Sequence, residues 1–265
     1  MPIIPSLATR LLLAAALSAC GTGIAFAQAQ PQPESNQPNK SPPTKGRTIV
    51  RTATPAIEAE RQAMGSQFRD TLGLAQADVA AQRLEQAVAR LAPVTEYCDR
   101  LLASGRALVS VATASEYQSY MASRQDSEPV DWVDMACPQS YNILGYIAVE
   151  ARNFEKALAY LDKAVGLATL WADPRVERGF VLNQLHRNSE ALADYRLALQ
   201  LIDRYQSNAG MKAIALRGLG YTLVELGDLQ AAEQAYQDSL VVEPGNDLAQ
   251  RELQYIQDRR NQARP

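Results

Sequence analysis

Apolar and polar residues recur at helical spacing along most of the chain after residue 56. The segment ADVAAQRLEQAVARLAPV predicts a helix that ends at Pro93, because proline lacks the amide hydrogen that a helix interior needs. Residues 113–124 predict another helix, opened by a capping box in which Thr113 and Glu116 satisfy free backbone groups. The pattern therefore predicts a helical segment over residues 56–137.

The C-terminal end of the chain, residues 247–265, predicts one more helix followed by a short tail. Its apolar stripe is narrow and consists of Leu248, Leu253 and Ile256, and the other positions are polar. Such a helix suits the end of a larger helical stack, which it covers with one face while the other face meets water.

Gly145 lies inside a stretch that otherwise predicts a helix, where glycine costs about 1 kcal/mol relative to alanine. The pattern recurs, since Gly179 follows 34 positions later and Gly220 follows 41 positions after that. An alanine stands 12 positions after each glycine: Ala157, Ala191 and Ala232. Small residues let two helix backbones approach closely, so we expect packing between helices to offset the local cost.

Each copy resembles the tetratricopeptide repeat, whose signature runs aromatic, Leu-Gly, Ala, aromatic, Ala and a final Pro. The first copy has Tyr141, Leu144, Gly145, Ala157, Leu161 and Ala164. The third copy has Leu216, Leu219, Gly220, Ala232, Tyr236, Ser239 and Pro244. The second copy departs from the pattern, because Arg178 precedes its glycine and no proline closes it. The resemblance implies an all-α fold, a right-handed superhelical stack of antiparallel helix pairs.

The resemblance places three repeats in residues 138–246. They cover 138–171, then 172–205 with an insertion to residue 212, then 213–246. The seven inserted residues amount to about two helical turns, so a lengthened helix would keep its faces nearly in register. Residues 56–137 show no convincing fourth copy, and whether they contain a degenerate one stays open.

Local signals also predict where helices begin. Asp173 followed by Pro174 predicts an N-cap and a first-turn proline. Asn153 and Asp228 are placed to cap the second helices of the first and third copies.

Stacked helix pairs curve and leave a concave face, which in this family is lined by the first helix of each pair and binds peptides or proteins. An aromatic residue follows each glycine, and helical spacing places other side chains on the same face. The predicted partner-binding residues are Asn142, Tyr146, Val149, Glu150, Val176, Phe180, Asn183, Arg217, Tyr221, Val224 and Glu225. The alternative is that these rings cover each other or lie beneath the N-terminal segment.

Family members that clamp a terminal carboxylate use several Lys, Arg and Asn side chains on this face. Arg217 is the one suitable cation among the predicted groove residues, and Glu150 and Glu225 lie near it in the pattern. We therefore do not transfer that specificity to this chain.

The composition narrows the classes of function. The formal net charge is −3, which gives no support to nucleic-acid binding, since that function favours a basic face. The single histidine, His186, has no cysteine near it in the sequence, so we expect no catalytic residues, no metal site and no cofactor. Asp131 and Asp134 could ligate a metal, but a solvated helix face explains them better.

The N-terminus resembles a bacterial secretory signal, with Arg10 followed by an apolar run. Two cleavage sites compete. The sequence LSAC looks like a lipobox, which would remove residues 1–19 and lipidate Cys20. The sequence AFA fits ordinary cleavage, which would remove residues 1–27. Residues 28–55 are rich in Pro, Gln, Asn and Ser and predict a disordered tether.

The two remaining cysteines, Cys98 and Cys137, are predicted to form a disulfide, because an exported protein usually pairs its cysteines. The alternative is two buried free thiols. A bridge would join residues 56–137 to the start of the first repeat.

The sequence favours a non-enzymatic interaction module of the bacterial cell envelope. It would be exported to the periplasm, would hold a protein or peptide partner in its groove, and would meet the membrane through an N-terminal lipid anchor if Cys20 is lipidated. The alternative is an enzyme or an accessory domain that acts on envelope polymers, with its chemistry in residues 56–137.

Overall fold

The computed structural model describes residues 63–125, 128–205 and 209–262. Its helices are α1 (Arg69–Ala80), α2 (Leu84–Leu102), α3 (Ala114–Ser123), α4 (Ala136–Glu150), α5 (Phe154–Leu167), α6 (Asp173–Gln184), α7 (Asn188–Tyr205), α8 (Ala209–Glu225), α9 (Leu229–Val242) and α10 (Asp247–Gln262). A 3₁₀ turn, Ser66–Phe68, precedes α1, and the strands are β1 (Leu108–Val109) and β2 (Asp131–Trp132). The fold is the all-α stack of helix pairs that the repeats predict. The proposed signal sequence, Cys20 and the tether lie outside the described residues.

Eight helices form four consecutive pairs, α1–α2, α4–α5, α6–α7 and α8–α9, and all four pairs use the same turn. One residue in each turn has a left-handed backbone, with φ of 58°, 58°, 58° and 85° at Gln82, Arg152, His186 and Gly227. In the last of these, the Gly227 amide donates to the Val224 carbonyl at 3.0 Å and the Asp228 amide to the Leu223 carbonyl at 2.9 Å. The other three turns repeat both hydrogen bonds, which satisfy carbonyls that a helix end would otherwise leave free.

The pair α1–α2 is built like the three repeats, although its sequence hides the resemblance. Measured from the turn, Ala75 takes the place of the repeat glycine, and Ala87 and Leu91 take the places of the conserved alanine and the large residue after it. All three side chains are fully buried. Thr71 stands where the first and third copies have an aromatic residue or Leu. The sequence of α1 therefore lacks both the first residue of the signature and its glycine.

Helix α2 continues through Pro93, so the prediction that a helix ends there is wrong. Its buried residues, Ala87, Leu91, Val94 and Cys98, keep helical spacing on both sides of the proline. Pro93 itself is exposed, so water can reach the carbonyl that loses its helical hydrogen bond. Burial of the apolar face therefore outweighs the local cost of proline.

A large side chain from the second helix of each pair packs directly against the repeat glycine of the first helix. A Cβ atom at Gly145 would lie 2.8 Å from Cγ of Leu161, and a Cβ atom at Gly179 would lie 2.9 Å from two ring carbons of Tyr195. Gly220 faces the ring of Tyr236 in the same way, at 2.8 Å. These distances are shorter than a van der Waals contact, so close packing explains glycine in the middle of these helices.

An insertion of two strands and α3 lies between α2 and α4. The strands β1 and β2 are parallel, and Met64 extends them through a bridge to Val133. The rings of Tyr117 and Tyr120 pack against Trp132, with centroids 4.9 Å and 5.9 Å apart. The capping box is confirmed, because the Glu116 amide donates to Oγ1 of Thr113 at 3.1 Å.

The two aspartates near β2 do not lie on a solvated helix face, so that part of the prediction is wrong. Asp131 is in β2 and pairs with Arg106 at 2.7 Å. Asp134 is buried, accepts the Ala136 amide at 2.9 Å and pairs with Arg69 at 2.6 Å. Asp134 therefore joins the insertion to α1, whereas the ion pair of Asp131 lies within the insertion.

The predicted disulfide between Cys98 and Cys137 is present and joins α2 to α4, with Cα atoms 5.8 Å apart. Both cysteines are buried. Asp99, the next residue in α2, accepts a hydrogen bond from the hydroxyl of Tyr141 and another from Nζ of Lys163 at 2.7 Å. The first helix pair is thus attached to the first repeat by a covalent bond and by polar contacts.

Arg178 explains why the second repeat departs from the signature. It forms two hydrogen bonds with the buried carboxylate of Asp194, at 2.6 Å and 2.7 Å, and a third with Asp162 at 2.9 Å. An ion pair between α6, α7 and α5 therefore stands where the other repeats have a leucine. The hydrogen bonds to Asp194 raise the pKa of Arg178 above its ordinary value.

Two of the three predicted helix caps are confirmed. Oδ1 of Asn153 accepts the Lys156 amide at 3.1 Å, and Oδ1 of Asp228 accepts the Ala231 amide at 3.0 Å. Asp173 does not cap α6, because the helix already includes it and its N-cap is Ala172.

The insertion in the second repeat corresponds in part to a longer second helix, and α8 begins at Ala209, before the predicted start of the third repeat. Helix α7 has 18 residues, compared with 14 in α5 and 14 in α9. Leu201 and Ile202 extend its buried face beyond the repeat positions, so the lengthened helix stays in contact with the core. At the C-terminal end, α10 covers the last pair mainly with Ala249 and Ile256. None of the helices in the described part of the chain combines the length and the apolar character that crossing a membrane requires.

Candidate partner-binding groove

The first helices of the four pairs lie on the inner side of the stack. These first helices form one row, in the order α1, α4, α6 and α8, and each contacts the next helix of the row. The second helices α5 and α7 instead contact the first helix of the following pair. In a curved stack the elements that approach one another most closely lie on the inside of the bend. The groove is therefore lined by the helices that carry all of the predicted partner-binding residues.

The structure divides those predicted residues into two sets. Five are buried in the core or between helices: Tyr146, Val149, Val176, Asn183 and Arg217. The other six reach the surface at least in part: Asn142, Glu150, Phe180, Tyr221, Val224 and Glu225. Three of these six are on α8, two are on α4 and one is on α6, so α8 contributes more accessible groove residues than either of the other helices.

Tyr146 and Val149 are buried because α4 is not the first helix of the inner row. They share a core with Leu72 and Val79 of α1, and Phe180 of α6 packs partly against the same core. The alternative that neighbouring rings and the N-terminal segment cover this face therefore holds at the first repeat. The sequence could not show this, because the α1–α2 pair is hidden in it.

Asn183 and Arg217 already have partners within the stack. Nδ2 of Asn183 donates to Oγ1 of Thr222 at 2.9 Å, which links α6 to α8. Nη1 of Arg217 donates to Oε2 of Glu243 at 2.6 Å. The one cation predicted for the groove is therefore neutralised by a carboxylate of its own repeat.

Two acidic residues of α6, Asp173 and Glu177, belong to the site although the sequence did not suggest them. Glu177 is 7% exposed, and among the described residues it has no hydrogen bond or ion pair. Burial, together with a smaller effect of the neighbouring Asp173, raises the pKa of Glu177 to about 8. Burial also raises the pKa of Asp173 to about 6, although a hydrogen bond from Trp171 opposes this. A search for acids one helical turn apart beside the predicted groove positions would have found this pair.

The groove continues along α8 with a similar character. Burial raises the pKa of Tyr221, and Glu225 and Glu252 act in the same direction. Burial also raises the pKa of Glu252 in α10. Aromatic rings and desolvated carboxyl groups thus alternate along this face, which can offer ring surfaces and hydrogen-bond acceptors to a partner.

A shallow cavity of about 220 Å³ lies elsewhere, between α5, α6 and α7. Its charged residues pair with one another, as Arg187 does with Glu190 at 2.7 Å. Its lining consists of Leu158, Asp162, Arg178, Leu182, Arg187, Glu190, Ala193 and Asp194. Because these charges satisfy one another, the groove is the better candidate for binding.

Comparison with known families agrees with the repeat geometry. Residues 138–169 and residues 172–240 each match a family model described as tetratricopeptide repeat. These two segments are therefore tetratricopeptide repeats, and they contain α4–α5, α6–α7 and most of α8–α9. No curated protein matches the chain.

Solved structures with a similar fold include the first TPR of Spaghetti (RPAP3) bound to an HSP90 peptide, at 21% identity and a TM-score of 0.45. That match covers 49% of this chain and 97% of the other. The second TPR domain of human RPAP3, in complex with an HSP70 peptide, matches at 23% identity and a TM-score of 0.40, over 45% and 98% of the two chains. YrrB, a TPR protein with an unusual peptide-binding site, matches at 17% identity and a TM-score of 0.39, over 74% and 94%. At these identities the likeness concerns the fold.

Proposed function

We propose that this chain is a non-catalytic interaction module that holds a protein or peptide partner in the groove lined by α4, α6 and α8. The observation that carries the proposal is the row of partly exposed groove residues, Phe180, Tyr221 and Val224. Near them lies Glu177, a carboxyl group with no hydrogen-bond donor in the described part of the chain. Aromatic surface combined with a few polar groups is typical of sites that bind peptides.

The alternative, an enzyme with its chemistry in residues 56–137, has less support. Residues 69–102 form a helix pair whose apolar face packs into the stack, and Asp131 and Asp134 form ion pairs with arginines. These residues therefore already have structural roles.

The proposed location is the bacterial cell envelope, on the periplasmic side. Support comes from the signal-like N-terminus, from the Pro- and Gln-rich segment after it, and from a disulfide of the kind that oxidising compartments favour. If the lipobox is used, metabolic labelling with palmitate marks the protein, and Cys20→Ser abolishes the label. Absence of label on the wild-type protein, together with a mature chain that begins at Gln28, would instead establish ordinary cleavage.

Crosslinking in the native envelope tests the groove. We compare wild type with a Phe180→Ala/Tyr221→Ala variant and with an outer control, Arg196→Ala/Leu197→Ala, whose side chains are exposed on α7. We expect a partner that is crosslinked in wild type and in the control but lost in the groove variant. Thermal unfolding of all three proteins verifies that the groove variant is folded. Retention of every partner by a folded groove variant would contradict the proposal.

A further inference from the structure

Glu177 is a buried acceptor that lacks a donor. A carboxyl group removed from water loses its hydrogen bonds to solvent, and this cost is normally offset by a partner inside the protein. Glu177 is 93% buried by area and has no such partner among the described residues. Asn142 of α4 shows the same deficit, since its Oδ1 atom is buried without a hydrogen bond. Glu177 therefore lacks a donor among the described residues, and its oxygens are not enclosed as completely as Oδ1 of Asn142.

Within residues 63–125, 128–205 and 209–262, the charged groups that act on Glu177 and on Asp173 are acidic. Asp173 lies one helical turn before it and is also acidic, and Glu116 at the start of α3 acts on Asp173. On the α7 side the neighbour is the hydroxyl of Tyr195, whose pKa Glu177 helps to raise. Three carboxyl groups and a phenol therefore gather near the first turn of α6.

The two arginines of α6 are held away from Glu177. Arg178 binds Asp194 at 2.6 Å, and Arg175 approaches the same carboxylate at 3.5 Å. Both contacts are on the side of α6 that faces α7. A cation for Glu177 must therefore come from outside the helix that carries it.

Helix α8 contributes no side chain at the point where it passes Tyr195. A Cβ atom at Gly218 would lie 2.3 Å from Cζ of Tyr195, so the ring of Tyr195 fills the space between α6 and α8. The ring is itself buried, so it closes the space behind Glu177 between the two helices.

We propose that Glu177 and Asp173 form a subsite for an organic cation with N–H donors, such as the ammonium group of a lysine or the guanidinium group of an arginine in the partner. The inference rests on the proposed function, because it names the chemistry that the same groove recognises. The cation would supply the missing donor to Glu177 and would replace the acid–acid contact with an ion pair. The groove would therefore select a basic segment rather than a terminal carboxylate.

A small-molecule titration tests the subsite without any partner protein. The full chain, labelled with ¹⁵N, is titrated with N-acetyl-lysine methylamide and, separately, with N-acetyl-norleucine methylamide, which lacks the ammonium group. We expect saturable chemical-shift changes on α6 amides with the lysine probe and at least tenfold weaker binding of the norleucine probe. We also expect the lysine affinity to rise several-fold between pH 6 and pH 8, because the ionised Glu177 binds the cation.

Two variants and one control complete the test. Glu177→Gln should abolish both the α6 response and its pH dependence, and Asp173→Asn should weaken binding several-fold. Glu155→Gln, an exposed acid on α5, should bind like wild type. Equal binding of the two probes, or an unchanged response in Glu177→Gln, would overturn the proposal. If crosslinking to a partner succeeds while lysine binding fails, only the cation subsite is contradicted. If lysine binding is intact while crosslinking fails, only the interaction function is contradicted.

Discussion

At the residue scale, two helical glycines differ in how closely they are packed. A Cβ atom at Gly179 would meet the ring of Tyr195 at 2.9 Å, whereas a Cβ atom at Gly73 in α1 would have no atom within 4 Å. Gly179→Ala should therefore lower the free energy of unfolding by about 1–3 kcal/mol through overpacking. Gly73→Ala, as the matched control, should raise it by about 0.5–1 kcal/mol through reduced chain entropy. Urea denaturation measures both, and stabilisation by Gly179→Ala would contradict the packing described for the repeat glycines.

Glu177 gives a second residue-scale prediction, on the pH dependence of stability. Its folded pKa, about 8, lies above the ordinary value of 4.5, so between these values the folded state retains a proton that the unfolded state has lost. The unfolding free energy should therefore fall as pH rises through this window. Glu177→Gln should remove this decrease and stabilise the protein by about 1–3 kcal/mol at pH 8, with little effect at pH 4. Denaturation curves at several pH values test it, and parallel curves for the two proteins would contradict the burial of an unpaired carboxyl group.

At the scale of elements, the turn between paired helices is a unit that local sequence only partly specifies. Four turns share the same two hydrogen bonds, yet only the last has glycine at the left-handed position. His186→Gly should stabilise the protein by about 1 kcal/mol, because an L-residue pays a steric cost at φ of 58°. The reciprocal change, Gly227→His, should destabilise it by a similar amount. Thermal unfolding compares the pair, and effects of the same sign would refute this account of the turn.

Helix α2 shows the limit of element prediction from sequence. Proline at position 93 predicts a helix end from local chemistry alone, and the structure instead shows an unbroken buried face on both sides of it. The insertion around β1 and β2 shows the same limit, since strands of two residues are too short to produce a periodic pattern. Both cases were decided by contacts with distant parts of the chain.

At the scale of the whole molecule, the disulfide attaches the first helix pair to the repeats. Cys98 and Cys137 are 39 positions apart, and closing a loop of that length reduces the entropy of the unfolded chain. Replacing both by Ala should lower the free energy of unfolding by about 4 kcal/mol, less any strain that the bridge imposes on the folded state. Chemical denaturation of oxidised wild type and the double variant measures the difference. A loss below about 1 kcal/mol would indicate that contacts between α2 and α4 suffice without the bridge.

The sequence by itself determined the repeat. The recurrence of glycine and alanine after 34 positions predicted the helix pairs. The prediction succeeded because each repeat packs a small residue of one helix against a large residue of the other. The helix caps at Asn153 and Asp228 followed from local chemistry in the same way, and the disulfide followed from the cysteine count and the predicted export.

The tertiary structure alone decided which groove residues are accessible and where the groove chemistry lies. Tyr146 and Val149 are buried because a fourth helix pair, without the repeat glycine, packs against α4. Glu177 stands out because the arginines beside it contact Asp194, and no other residue that the structure describes donates to it. Both outcomes depend on which side chains from separate helices meet, and periodicity along one helix carries no information about its neighbours.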